Sequence, residues 1–196
     1  MKVVVVSQRI DFYPERNEYR DALDQRLVAF ITSADALAVP VPNTLINSNQ
    51  LDAWLLNIKP AAILLSGGND IGEHPVRDLT ERILLDHAQK SMLPVLGICR
   101  GMQMLGVRAG AALKPVTGHV GIRHQLFGHI EGEANSFHNQ ALIDVPAEYT
   151  LLARSEDGGI EAIRHIHLPW EGWMWHPERE PVFTSRDIDR LRALLS

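Results

Sequence analysis

The chain has 196 residues, enough for one full domain at about 150 residues per domain, so residues 1–196 are expected to form a single unit. Hydrophobic residues make up 45% and charged residues 22%, a balance that excludes an intrinsically disordered chain. A net charge of −5 offers no basic excess for nucleic acid or an acidic membrane, and one cysteine excludes an internal disulfide or a Cys-rich zinc site.

Val3–Val6 is a short β-branched run, expected as a buried parallel strand and too short for a signal-peptide core. From Arg16 to Ser33, Tyr19, Leu23, Leu27 and Phe30 fall at three- and four-residue steps, which predicts one helix. Ala36–Val41 is a second strand. A helix over Gln50–Asn57 follows, with Asn47, Ser48 or Asn49 as candidate caps. Ala61–Leu65 is a third strand, running into Ser66-Gly67-Gly68-Asn69-Asp70. Leu79–Lys90 is helical, Val95–Ile98 is a fourth strand, and a helix starts just after Cys99.

Leu113–Trp175 holds short strand-like pieces, with Ile160–Leu168 alternating and Gly172–Trp175 as another strand. Ser185 is expected to cap a last helix that turns Ile188, Leu191, Leu194 and Leu195 inward. No apolar stretch approaches the roughly 18 residues of a membrane span.

This alternation predicts an α/β fold in three layers. A mixed, mainly parallel central sheet carries helices on both faces. Ligands in such folds sit beyond the carboxyl ends of the strands. Four ends carry polar residues: Ser7-Gln8-Arg9, Ser66-Gly67-Gly68, Cys99-Arg100 and His176-Pro177-Glu178. All four are expected on one rim.

Gly97-Ile98-Cys99-Arg100-Gly101 has the G-x-nucleophile-x-G form of a nucleophile elbow, with Cys in place of Ser. It follows an apolar strand and precedes a helix, and a helix N-terminus under the sulfur favours the thiolate. A buried structural cysteine is the alternative. His176 and Glu178, two apart in an extended stretch, point the same way and supply a base with its orienting carboxylate. A surface histidine beside a solvated tail is the alternative there. The Gly67-Gly68 pair lets backbone approach a ligand closely, and with the Arg100 N–H it can form an oxyanion hole; an ordinary turn is the alternative.

Nine histidines raise the question of a metal. His119, His124 and His129 lie five apart, which fits neither a helix face nor a strand face, and no HExxH spacing occurs. No metal site is expected. No P-loop or GxGxxG is present, and no cofactor is expected. The tryptophans and Met102 and Met104 read as core or pocket wall.

Gly97–Gln103, Ser66–Asp70 and Trp175–Glu178 resemble the class I glutamine amidotransferases, and in particular their γ-glutamyl-γ-aminobutyrate hydrolase branch, which is also classed as a peptidase family (C26). The resemblance covers nearly the whole chain and implies a flavodoxin-like fold. It also implies a Cys99-His176-Glu178 triad and an oxyanion hole from the Gly68 and Arg100 backbone. Gln103 and the segment Ser136-Phe137-His138 are implied to hold a γ-glutamyl moiety, beside Gly67 and Arg9. Ser7–Arg9, Glu18–Asp24, Asn135–Asn139 and Met174–Glu180 are similar to a short subgroup of surface-polysaccharide pathways. One member of it hydrolyses a γ-glutamyl adduct of cytidine diphosphoramidate. Met174 stands where many relatives have Gln, and the chain is shorter than the polyamine-degrading hydrolases. Both departures point away from γ-glutamyl-aminobutyrate as substrate.

The expected function is hydrolysis of a γ-glutamyl amide through a γ-glutamyl thioester, in the cytoplasm, on a small-molecule substrate. Arg9, Arg16 and Arg20 are candidates to meet an anionic leaving group, with solvated helix charges as the alternative. A glutaminase subunit serving a separate synthase is a second reading, and a binding protein with a dead site a third. At this length a synthase domain has no room, so any enzyme receiving ammonia is expected on another polypeptide. A homodimer is left open.

Overall fold

A computed structural model describes residues 1–48 and 50–196. Along the chain, β1 (Lys2–Val6), β2 (Arg9–Tyr13) and β3 (Glu18–Ala22) precede α1 (Gln25–Ser33) and β4 (Ala36–Pro40). Then come α2 (Leu51–Ile58), β5 (Ala62–Leu65), α3 (Pro75–Ser91), β6 (Val95–Ile98) and α4 (Arg100–Arg108). The second half holds β7 (Leu113–Pro115), β8 (Val120–Gly128), β9 (Gly132–Phe137) and β10 (Gln140–Leu142). It ends with β11 (Tyr149–Arg154), β12 (Ile160–His165), β13 (Trp170–Trp173) and α5 (Ser185–Leu195).

Nine strands form one sheet in the order β4-β1-β5-β6-β13-β12-β11-β8-β9. The first five are parallel, and only β12 and β8 run against the rest. The sheet is therefore mixed and mainly parallel, as expected. Val4–Val6, Ile63–Leu65 and Val95–Ile98 are buried on both faces, which is why these strands are apolar at every position. Helix α4 packs on β5, β6 and β13, α1 packs against α5, and α2 against α3. Trp170, Trp173, Trp175, Met102 and Met104 are core residues.

The topology sets the site. β1, β5, β6 and β13 are consecutive parallel neighbours, so the four polar strand ends do share one rim.

The helix expected over Arg16–Ser33 is half wrong. Its first part is strand β3, paired antiparallel with β2 from Arg9↔Ala22 to Tyr13↔Glu18. Pro14 and a left-handed Asn17 (φ 48°) close this hairpin, and Phe12 stacks on Tyr19 at 4.5 Å. The helical spacing of Tyr19 is coincidental, and helix α1 starts only where Asp24 accepts a hydrogen bond from the Arg26 N–H. Two anchors hold the hairpin over the rim. Asn69 bonds both backbone groups of Ile10 (2.8 and 3.1 Å), and Asp21 accepts from the Asn43 side chain (2.7 Å).

Smaller corrections concern boundaries. Helix α3 begins at Pro75, not Leu79, because Pro fits the first helical turn. Gln50 occupies the cap of α2 in place of Asn47 or Ser48; Asn49 lies outside the described residues. The last strand is Trp170–Trp173, and Thr184, not Ser185, caps α5 by accepting from the Asp187 N–H. Among the described residues, no helix is long and apolar enough to cross a membrane.

Candidate active site

Cys99 sits between β6 and α4 with φ 51° and ψ −105°, a conformation that a non-glycine residue adopts only under constraint. The flanking glycines make the turn sterically possible. A Cβ on Gly97 would lie 2.5 Å from the Gly101 carbonyl, and one on Gly101 would strike the Leu65 carbonyl oxygen of β5. The elbow thus packs backbone on backbone against the neighbouring strand.

His176 follows β13 and is 2% exposed. Its Nδ1–H donates to Glu178 Oε1 at 2.7 Å, which turns Nε2 away from the carboxylate, and Cys99 acts on its ring from close by. Burial by itself lowers the His176 pKa. Hydrogen bonds and charge attraction from Cys99 and Glu178 outweigh burial and raise it to about 9. The imidazole therefore holds its proton at neutral pH. The ring lies directly on Gly67, where a Cβ would come within 2.6 Å of Cε1.

Two further residues hold this histidine, and no spacing along the chain points to either. Asn135 on β9 accepts from the His176 N–H (3.0 Å) and donates to the His176 carbonyl (2.8 Å). Arg26 on α1 donates to the Glu178 carbonyl (2.7 Å) and to that of Glu180, fixing the turn that carries the carboxylate.

Another unforeseen element is a buried charge network under the Gly-Gly loop. Arg77 on α3 is fully buried and donates to the carbonyls of Ser66 (2.8 Å), Gly67 (2.9 Å) and Gly68. With the carbonyls drawn inward, the Gly68 N–H makes no hydrogen bond among the described residues. Glu81 accepts from Arg77 (3.2 Å), from Ser7 Oγ (2.8 Å) and from Arg100, which also pairs with Asp78. One network thus ties the loop after β5 to the start of α4. Burial depresses the Arg77 pKa to about 10, which leaves the guanidinium charged at neutral pH. An arginine and a carboxylate four apart on a helix, as Arg77 and Glu81 are, form the one local signal of this network.

A cavity of about 160 Å³ is lined by Arg9, Ser66, Gly67, Gly68, His176, Glu178 and Arg179. Phe137 borders it indirectly, edge-on to His176 with centroids 6.1 Å apart and under the Arg179 guanidinium at 4.6 Å. The remaining expected residues are engaged elsewhere. Gln103 donates to the Gln140 carbonyl (2.9 Å), Ser136 Oγ donates to the His119 carbonyl (2.7 Å), and His138 is buried against Gln140. Of the three candidate arginines only Arg9 lines the cavity. Arg20 pairs with Glu18 and stacks over Tyr13, and Arg16 lies on the hairpin turn.

Comparison with known proteins shows the family. The Glutamine amidotransferase class-I family profile matches residues 18–188. The chain is 34% identical over 125 residues to the gamma-glutamyl-CDP-amidate hydrolase of Campylobacter jejuni, covering 61% of this chain and 62% of that protein, less than two thirds of its length. It is 28% identical over 171 residues to anthranilate synthase component 2 of Thermococcus kodakarensis, covering 81% of this chain and 83% of that one. A glutamine amidotransferase structure from Thermotoga maritima superposes with a TM-score of 0.68 at 17% identity, over 100% of this chain and 84% of that one, and so shares the fold. With an elbow cysteine, a glutamate-paired histidine and this family match over most of its length, the chain belongs to the class I glutamine amidotransferase family.

Proposed function

We propose that the protein is a cytoplasmic, cysteine-dependent γ-glutamyl amide hydrolase whose substrate carries an anionic leaving group. The observation that carries the reading is His176, buried between Cys99 and Glu178 at the rim where four parallel strands end. Cys99 Sγ attacks the γ-carbonyl carbon, and its electron pair forms the C–S bond. The Gly68 and Arg100 N–H groups receive the developing oxyanion; one such donor is worth about 2.7–4 kcal/mol in the transition state. His176 passes its proton to the leaving nitrogen as the C–N bond breaks, which leaves a γ-glutamyl thioester. The neutral imidazole then takes a proton from water as the water oxygen bonds to the thioester carbon. The C–S bond breaks with its electron pair returning to Cys99 Sγ, glutamate leaves, and His176 again holds its proton.

Arg9 supports the anionic leaving group. It lines the cavity, with its stem over Gly68 and a half-exposed guanidinium paired only with Asp11 among the described residues. The name of the Campylobacter relative agrees with a phosphoramidate-type leaving group. The likeness to one component of an anthranilate synthase supports a second reading, in which the chain supplies ammonia to a separate synthase.

The test is a product assay on glutamine, γ-glutamyl-aminobutyrate and a γ-glutamyl nucleoside phosphoramidate, with Cys99→Ser as control. Preferred release of glutamate from the phosphoramidate by the pure chain supports the proposal. Glutamine turnover that stays negligible until a synthase is added supports the second reading.

A further inference from the structure

Apart from the triad, the fold gathers four buried titratable side chains that the proposed reaction does not use in acid–base or nucleophilic roles. His119 precedes β8, His124 lies on β8, His138 follows β9 and Glu161 lies on β12. All are at most 6% exposed, and one ligand atom from each lies within 4.8 Å of the others. Spacing along the sequence could not show this, because the third histidine and the glutamate arrive from other strands.

The hydrogen bonds fix which atoms face inward. His138 Nδ1–H donates to the Gln140 carbonyl (3.1 Å), which points Nε2 inward. Nε2 faces Glu161 Oε1 at 3.7 Å, and neither atom has a hydrogen-bond partner among the described residues. Two buried polar atoms thus face each other at a distance too long for a hydrogen bond. His119 Nε2–H donates to Asp157 Oδ2 (2.9 Å), which turns Nδ1 inward to within 2.9 Å of His124 Nε2. Glu156 Oε2 stands 3.8 Å from the other nitrogen of His124. The outward nitrogens of His119 and His138 thus donate to a carboxylate and a carbonyl, the arrangement that orients metal-binding imidazoles, while Glu156 stands near His124 without a hydrogen bond.

We propose that His119, His124, His138 and Glu161 bind one divalent transition ion, zinc by the chemistry of three imidazoles and a carboxylate. Tetrahedral ligands at zinc distances stand about 3.3 Å apart, and the observed 2.9 and 3.7 Å separations bracket that value. Four protein ligands close the coordination shell, so the site is structural rather than catalytic. A cavity of about 110 Å³ lined by His119, His138 and Asp157 gives the ion a way in. The ion would cross-link β8, β12 and the chain just after Phe137, which rests against His176. The proposal stands apart from the hydrolase reading and does not depend on it.

The test uses the full chain with zinc and with cobalt(II). Expected are about one zinc per chain retained after desalting, by elemental analysis, and the intense visible absorption of four-coordinate cobalt without a thiolate charge-transfer band. In wild-type protein, the ¹⁵N signals of three imidazoles should move on zinc addition. Folded Glu161→Gln and His124→Gln variants should lose the retained metal. Retention of less than about a tenth of an equivalent by folded wild type overturns the proposal, as does undiminished retention by the folded variants. If the variants do not fold, the imidazole signals decide: movement of His119, His124 and His138 supports the site, and movement of other histidines or of none overturns it.

Discussion

Asn135 holds His176 by both of its backbone groups, accepting from the N–H at 3.0 Å and donating to the carbonyl at 2.8 Å. The same amide also donates to Glu180 (2.8 Å), so one side chain on β9 sets the position of the whole segment after β13. Asn135→Ala removes these bonds and leaves buried backbone groups without partners, at a cost of about 1–3 kcal/mol. Because the loss displaces the imidazole rather than the substrate, kcat should fall by roughly 10²-fold with little change in KM. Steady-state kinetics beside a thermal melt checks this. Unchanged kcat in a folded variant would refute the positioning role.

Cys99→Ala should abolish hydrolysis, by at least about 10⁴-fold, while γ-glutamyl binding survives. It also removes the sulfur that helps to hold the His176 proton. The imidazole midpoint, followed by NMR, should drop below the wild-type value of about 9. A midpoint that stays put would mean that the two side chains do not interact.

The raised His176 pKa fixes the alkaline limb of the pH profile. In the proposed reaction the protonated imidazole is the acid that releases the leaving nitrogen, so kcat/KM should decline as pH rises through about 9. The stability contribution has the same sign. The folded state binds the proton more tightly than the unfolded chain, so this contribution is complete below about pH 6.5 and lost as pH rises through about 9. Denaturant melts across that range, on wild type and His176→Gln, isolate the effect.

Arg77→Met leaves Glu81 short of a buried partner and frees the carbonyls of Ser66, Gly67 and Gly68. Removing one member of a buried ionic network costs about 3–5 kcal/mol. Denaturant titration should show this loss. In the protein that remains folded, kcat should fall because the Gly68 N–H is no longer aimed.

Arg9→Ala should separate substrates by charge. Arg9 lines the cavity and its half-exposed guanidinium bonds Asp11, so KM for an anionic γ-glutamyl substrate should rise roughly tenfold while glutamine turnover is nearly unchanged. Equal losses on both substrates would count against a leaving-group contact.

The parallel half of the sheet and the rim were legible in the sequence because buried parallel strands are apolar at every position. Val4–Val6, Ile63–Leu65 and Val95–Ile98 announce themselves. The strained turn at Cys99 and the His176–Glu178 pair were legible because their patterns are local: an elbow and a two-residue step. The hairpin over Arg9–Ala22 was not, since strand pairing between two short polar runs leaves no helical or alternating signature strong enough to outweigh chance spacing. Asn135 and Arg26 were missed for a related reason: each acts on backbone far away in sequence, and no local pattern records a side chain that grips a distant carbonyl. Arg77 left one local trace, its four-residue step to Glu81, which does not reveal the carbonyls it holds.

The position of β13 has a consequence for synthesis. This late strand lies between β6 and β12, in the interior of the sheet. A chain emerging from the ribosome presents Cys99 some eighty residues before His176. Until β13 inserts, β6 has an open edge and, in the proposed reaction, the thiol has no base. On that reading, assembly of the sheet and acquisition of reactivity are the same event, and a chain stopped short of β13 carries an inert nucleophile.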